Sequence, residues 1–157
     1  MEKAYFGAGC FWGIEQKFNK LPGVVSTKVG YMGGSTPSPN YKSVCTGQTG
    51  HAEAVEIEYE PSDLDFTVLL SYFFDWHDAT QINRQGPDIG TQYRSAIFPQ
   101  TDEQKLASIQ KIHEANQSGR YPKAIATTIE YECQFWEAEE YHQHYLDKRG
   151  FSHSGDL

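Results

Sequence analysis

The hydrophobic pattern of this chain changes period within its first dozen residues. Residues 3–8 read as a short strand that ends in Gly9 and Cys10. Apolar residues then recur with the spacing of one helix face, at Phe11, Ile14, Phe18 and Leu21. Strand and helix patterns alternate along the rest of the chain, with hairpin and crossover connections mixed. The sequence therefore predicts an α+β fold, a two-layer sandwich in which a mixed sheet packs against helices.

The same two periods predict the remaining elements. Strands are expected over residues 25–31, 52–59, 94–98 and 125–131, and helices over 66–77, 101–118 and 137–147. Thr101 and Gln104 suit a capping box at the start of the helix over 101–118. Residues 33–50 and 78–92 are predicted to be long loops, and loops of this length are often functional.

Bulk properties exclude several classes of protein. A length of 157 residues predicts one domain, over residues 1–157. The formal net charge is −8 and no run of Lys and Arg forms a basic patch, so a nucleic-acid partner is not expected. No stretch approaches the roughly 20 apolar residues of a membrane span. The first residues do not resemble a signal peptide, which favours a cytoplasmic location.

The three cysteines, Cys10, Cys45 and Cys133, do not form a disulfide framework, because their count is odd and no Cys-x-x-Cys is present. Cys10 stands out because it follows Gly9 at the start of a helix. Helix N-termini stabilise a thiolate and lower its pKa from about 8.5. A small buried cysteine is the alternative, but the Gly-Cys-Phe-Trp-Gly context favours a reactive thiol.

The two aromatic residues after Cys10 differ in position. Phe11 belongs to the apolar face of the helix, so a core residue and a pocket wall remain equally possible. Trp12 points about 100° away from that face. An indole beside a reactive thiol, off the apolar face, is better explained as the wall of a pocket.

Glu53 is the most informative carboxylate. It shares the apolar register of Val55, Ile57 and Tyr59, whereas Glu56 and Glu58 alternate away from it. Burial would raise its pKa and make it a general acid at neutral pH. Register alone leaves open that Glu53 reaches solvent at the strand end. The preceding loop, which would place it beside a pocket, favours a functional role.

Other candidates carry less information on their own. Tyr41, Asp88 and Tyr93 lie in or next to the long loops. Metal-ligand spacing is absent among His51, His77, His142 and His144, which are interpreted as solvated or packed, so no metal is expected. Cys133 continues the register of Ile129 and Tyr131 and is predicted to be buried and inert. Cys45 lies in a loop where it could be exposed.

Four blocks of the sequence resemble the peptide methionine sulfoxide reductase A family. They are Gly9-Cys10-Phe11-Trp12-Gly13; Tyr41 to Gly47 followed by Thr49-Gly50-His51-Ala52-Glu53; Phe73 to Asp78, Asn83 to Gly86 and Asp88 to Ser95; and Ala138 to Gln143. In this order they cover nearly the whole chain, which makes the resemblance specific.

The resemblance implies a ferredoxin-like α+β sandwich and a thiol-dependent reductase without metal or cofactor. Cys10 would attack the sulfoxide sulfur of the S epimer, in free or protein-bound methionine, with Glu53 as the acid. Phe11 and Trp12 would hold the substrate methyl group. Tyr41, Asp88 and Tyr93 would bind the sulfoxide oxygen or shape the site.

The chain departs from the family in two places. Ala79 stands where proline often follows His-Asp. The segment after the Tyr-His-Gln block, Arg149 to Leu157, has no cysteine, whereas many relatives carry one or two recycling cysteines there. We therefore expect a sulfenic acid on Cys10 that an external thiol reduces, either glutathione with glutaredoxin or, less efficiently, thioredoxin. Neither Cys45 nor Cys133 is guaranteed to lie within the roughly 7 Å between Cα atoms that a disulfide needs.

Two other functions compete with this interpretation. A cysteine hydrolase would use Cys10 with a histidine, but no further hydrolase motif is present. The second is a non-enzymatic binding module with an aromatic groove, which slow and unselective alkylation of Cys10 would favour.

Overall fold

A computed structural model describes residues 1–150, which form a six-stranded sheet with helices on one face. The strands of the sheet are β1 (Glu2–Ala8), β2 (Val24–Met32), β3 (Ala52–Tyr59), β6 (Ser95–Ile97), β7 (Thr128–Ile129) and β8 (Trp136–Glu137). A separate hairpin contains β4 (Arg84–Gln85) and β5 (Asp88–Ile89). The helices are α1 (Phe11–Asn19), α2 (Tyr41–Cys45), α3 (Phe66–Asp75), α4 (Asp102–Gln117) and α5 (Tyr145–Lys148).

The strand order β7-β6-β1-β3-β2-β8 contains a ferredoxin-like unit. Its four strands, β6, β1, β3 and β2, pair antiparallel with one another, and α1 and α3 are the two crossover helices. β7 adds parallel to β6, whereas β8 adds antiparallel to β2. The predicted α+β two-layer sandwich with a mixed sheet is confirmed.

The main core lies between the sheet and helices α1 and α3, and Phe6 is at its centre. The Phe6 ring stacks on Phe18, Phe66 and Phe73 at centroid distances of 5.7, 5.9 and 4.8 Å. A smaller apolar cluster covers the opposite face of the sheet, with Tyr5, Met32, Ala52, Ala54, Ala96 and Phe98 as its buried members. The two faces of the sheet therefore differ in the size of their apolar clusters, and the side chains beneath α1 belong to the larger one.

Both predicted long loops contain short ordered elements. Residues 33–50 include α2, whose N-terminus is closed by a capping box between Asn40 and Ser43. Residues 78–92 include the β4–β5 hairpin and a 3₁₀ turn, Thr91–Tyr93. Elements of two to five residues are too short to show a hydrophobic period, so the sequence pattern could not reveal them.

The prediction for residues 125–131 was wrong in extent. Only Thr128–Ile129 pair with the sheet, Tyr131 is 47% exposed, and Glu132 has a left-handed φ of 57°. Cys133 therefore does not continue a buried strand. It is half-buried, it donates a 3.4 Å hydrogen bond to the Tyr131 carbonyl, and it packs against the smaller cluster.

The helix predicted over residues 137–147 was also wrong. The segment consists of β8, a 3₁₀ turn (Glu140–His142) and the short α5, and His144 before α5 has a φ of 52°. The Gln143 side chain explains the break, because it acts as a strand partner for β2. It accepts from the Val29 N–H at 2.8 Å and donates to the carbonyls of Val29 and Ala138, each at 2.9 Å.

The capping box predicted for α4 is half formed. The Thr101 hydroxyl accepts from the Gln104 N–H at 3.1 Å, as expected for an N-cap. The Gln104 side chain accepts instead from the N–H of Gln100, one residue earlier than a capping box requires. Among the helices of residues 1–150, none is long and apolar enough to cross a membrane.

We expect Gln143→Met to destabilise the protein by about 1–3 kcal/mol, because the variant leaves the Val29 N–H buried without its partner, while the Val29 carbonyl still accepts from the Ala138 N–H. Urea unfolding measures this loss. Gln134→Met, at an exposed position just before β8, is the matched control and should change the free energy of unfolding by less than about 0.5 kcal/mol. Equal stability of the two variants would contradict the role of Gln143.

Candidate active site

Cys10 lies at the junction between β1 and α1, as the N-cap residue of the helix. Gly9 before it has a φ of +84°, and a Cβ at Gly9 would lie 2.9 Å from the Gln85 side chain. Glycine is therefore required both by the turn and by the close approach of the β4–β5 hairpin. The junction leaves Cys10 half-buried, with the amides of Trp12 and Gly13 directed at its sulfur.

The pKa of the Cys10 thiol is not lowered, contrary to the sequence prediction. Burial is the main cause that raises the pKa to about 12, the charges of Glu53 and Asp88 act in the same direction, and the amides of Trp12 and Gly13 oppose the rise. Desolvation of the sulfur thus outweighs the helix N-terminus. In the resting protein at neutral pH, Cys10 is a thiol.

Glu53 is buried at the other side of this junction. It lies in β3 opposite Tyr31 of β2, is 1% exposed, and accepts a 3.1 Å hydrogen bond from the Phe11 N–H. Burial raises the pKa of Glu53 to about 8, against the effect of the Phe11 N–H, and the charge of Asp88 adds to the rise. The predicted register is confirmed, and the alternative that Glu53 reaches solvent is wrong. Its carboxyl group is mostly protonated at neutral pH.

The aromatic pair after Cys10 divides between core and surface. Phe11 is 1% exposed and packs against Tyr31, at a centroid distance of 5.8 Å. Trp12 is half-buried, lines a cavity together with Cys10, and stacks on Tyr145 at 3.8 Å. The structure therefore makes Phe11 part of the core directly behind Cys10, and Trp12 a wall beside the thiol.

The loop residues predicted for the site, Tyr41, Asp88 and Tyr93, lie around Cys10 and Glu53. Tyr41 lies beside Cys45, which is exposed at the end of α2, and burial and this cysteine raise the pKa of the Tyr41 hydroxyl. Tyr93 is half-buried, and its pKa is raised by burial, by Glu53 and by both Cys45 and Cys10. Asp88 lies in β5, lines the same cavity as Cys10 and acts on the pKa of both Cys10 and Glu53. These contacts and charges bring the predicted residues of all the loops to one place.

His142 is a site residue that sequence reasoning missed. It is 1% exposed, and its Nδ1 accepts a 2.9 Å hydrogen bond from the Trp12 indole N–H. Its ring also packs against Phe11 at 5.3 Å and Tyr41 at 4.6 Å. The sequence analysis interpreted His142 as solvated or packed. The available signal was its place in the last block of the family resemblance.

Glu139 was missed as well, although it fixes two of the aromatic residues. Its carboxylate accepts from the Tyr31 hydroxyl at 2.8 Å and from the Tyr41 N–H at 3.0 Å. It thereby joins β2 to the start of α2 from a segment about a hundred residues away. Within residues 1–150, no group of three His, Cys, Asp or Glu residues could hold a metal ion.

Comparison with known proteins agrees with this arrangement. The family model for peptide methionine sulfoxide reductase matches residues 2–154. A peptide methionine sulfoxide reductase of Methanoculleus marisnigri is 54% identical over 150 residues, which cover 96% of this chain and 92% of that protein.

Solved structures give the same result. Reduced Mxr1 from Saccharomyces cerevisiae superposes with a TM-score of 0.84 at 39% identity, covering 98% of this chain and 88% of that one. Mxr1 in complex with Trx2 has a TM-score of 0.62 at 29% identity, covering 92% and 84%. The chain therefore belongs to the peptide methionine sulfoxide reductase family.

Proposed function

We propose that residues 1–157 act as one domain that reduces methionine sulfoxide, free and in proteins, through attack by the Cys10 sulfur with Glu53 as the acid. The activity is that of the family, and it repairs oxidised proteins. The observation that supports the roles of the two residues is the burial of Glu53 beside Cys10, which keeps a carboxyl group protonated near neutral pH.

The proposed reaction conserves protons and electrons. The Cys10 sulfur forms a bond to the sulfoxide sulfur, while Glu53 gives its proton to the sulfoxide oxygen and takes up the proton that the thiol releases. The oxygen then transfers to Cys10 as both its bond to the substrate sulfur and the new bond between the two sulfurs break, and the substrate sulfur keeps the electron pair of the latter. Methionine leaves, and Cys10 holds a sulfenic acid. The substrate sulfur gains the two electrons that Cys10 loses.

Substrate binding is assigned to the residues around Cys10 and Glu53. Phe11 and Trp12 are proposed to hold the substrate methyl group, Trp12 as the wall beside the thiol and Phe11 from the core directly behind it. Tyr41, Tyr93 and Asp88 would bind the sulfoxide oxygen or shape its surroundings. A site of fixed handedness, with the acid on one side of the thiol and an indole on another, supports a preference for one epimer, and we propose the S epimer because the family resemblance implies it.

Recycling is proposed to depend on an external thiol. Cys133 packs on the face of the sheet opposite α1, so it does not face Cys10. Cys45 is exposed beside Tyr41, and the described contacts do not join it to Cys10. The complex of the relative Mxr1 with Trx2 supports a reductant of the thioredoxin type. Because residues 149–157 hold no cysteine, glutathione with glutaredoxin is proposed to act more efficiently than thioredoxin.

The pH dependence of sulfoxide reduction should report Glu53. Its raised pKa of about 8 keeps the proton in place below that pH and releases it above, while Cys10, at about 12, stays a thiol throughout. We expect the single-turnover rate constant to be flat at neutral pH and to fall as the pH rises through about 8. Glu53→Gln should lower the rate about 10²–10⁴-fold and remove the falling limb.

Single-turnover measurements with rapid quenching provide this pH profile. The wild type could instead show a rate that rises between neutral and alkaline pH. That result would mean that ionisation of Cys10 limits the reaction, and it would contradict the assigned role of protonated Glu53.

The oxidation state of Cys10 after one turnover tests the recycling proposal. Mass spectrometry of protein treated with one equivalent of sulfoxide and no reductant should show one added oxygen on Cys10, or an adduct with a sulfenic-acid trap. Cys10→Ser should show neither product and no activity. Rapid formation of a Cys10–Cys45 disulfide, absent in Cys45→Ser, would show instead that Cys45 is a resolving cysteine.

A further inference from the structure

A cavity of about 820 Å³ begins at Cys10 and extends well beyond the size of a methionine sulfoxide side chain. Cys10 and Trp12 belong to its lining, but Glu53, Phe11 and Tyr41 do not. The thiol therefore lies at one end of a groove whose lining does not include the buried acid Glu53.

One face of α1 forms a wall of this groove along its whole length. Cys10, Gly13, Ile14 and Lys17 all line it, with the spacing of one helix face. The end of α3 provides Trp76, whose ring lies 5.6 Å from the Lys17 ammonium. The groove is thus continuous from the reacting sulfur to a cation held over an aromatic ring.

Lys17 and Arg120 are the cations in the described lining, and they differ in their partners. Arg120 is neutralised by Asp75, with its guanidinium 2.9 Å from the carboxylate. Lys17 is half-buried and forms no ion pair with a carboxylate of residues 1–150. Partial burial lowers the pKa of Lys17, so a carboxylate brought to it would relieve the cost of its desolvation.

Lys17 lies two helical turns from Cys10, a distance of about 10 Å along the axis. An extended peptide advances about 3.3 Å for each residue, so three residues span the same distance. The size of the groove, its aromatic walls and its unpaired cation fit a polypeptide better than a free amino acid.

We propose that this groove binds the polypeptide segment next to the oxidised methionine, and that Lys17 selects an acidic side chain about three residues from it. The inference rests on the proposed function, because it takes Cys10 as the site of sulfoxide reduction. It makes Lys17 a determinant of specificity among protein substrates and gives it no part in the chemistry.

The test uses a series of peptides that carry one methionine sulfoxide and a single Glu, moved from four residues before it to four residues after it, with Ala at the other positions. We expect kcat/KM to be about fivefold higher for a peptide with Glu three residues away on one side than for the all-Ala peptide. Lys17→Met should abolish this difference, and Lys17→Glu should transfer the preference to the peptide with Lys at that position. Lys20→Met, at an exposed position just after α1, is the matched control and should keep the preference for Glu.

Each other outcome counts against the proposal in a distinct way. Equal kcat/KM across the peptides, or a preference that survives in Lys17→Met, would overturn it. A rise in the KM for glutathione in Lys17→Met, without a change among peptides, would assign the groove to the reductant instead. Free methionine sulfoxide serves as the reference substrate, since its reduction by the wild type separates failure of this inference from failure of the proposed function.

Discussion

The hydrogen bond from the Phe11 N–H to the Glu53 carboxyl joins the start of α1 to the centre of the sheet. The bond places a buried carboxyl group beside the residue that begins the helix, and the position of Cys10 follows from it. Keeping this carboxyl group at a pKa of about 8 costs on the order of 3 kcal/mol at pH 7. Because the folded state binds the proton more tightly than the unfolded state, the free energy of unfolding falls as the pH rises from about 4.5 to about 8.

The C-terminal segment completes the site without forming regular structure. The Gln143 side chain takes the place of a neighbouring strand beside Val29. The Glu139 carboxylate accepts from Tyr31 and Tyr41. His142 accepts from the Trp12 indole and so fixes its position. The side chains of one short segment therefore set the positions of aromatic residues from α1, β2 and α2. Such a segment needs an irregular backbone, because consecutive residues must point in different directions.

The sequence predicted the long elements well, because their hydrophobic faces are regular. The strand that carries Glu53 shows why, since its alternation places Glu53 in the buried register. The last segment could not be predicted in this way. Gln143 and Glu139 look like residues of an exposed helix, and only tertiary contacts with β2 and α2 reveal their role. The prediction of a lowered pKa for Cys10 failed for a related reason. The sequence indicates that Cys10 lies at a helix N-terminus, but it does not show the desolvation of the sulfur or the positions of Glu53 and Asp88.

The ionisation state of Glu53 is the central claim, and infrared difference spectroscopy measures it directly. Protein labelled with ¹³C-carboxyl glutamate would be titrated from about pH 6 to about pH 10, with Glu53→Gln as the reference that removes one band. The account predicts a protonated carboxyl band at neutral pH that disappears with a midpoint near 8 and is absent in the variant. A Glu53 band that is already that of a carboxylate at pH 6 would contradict it.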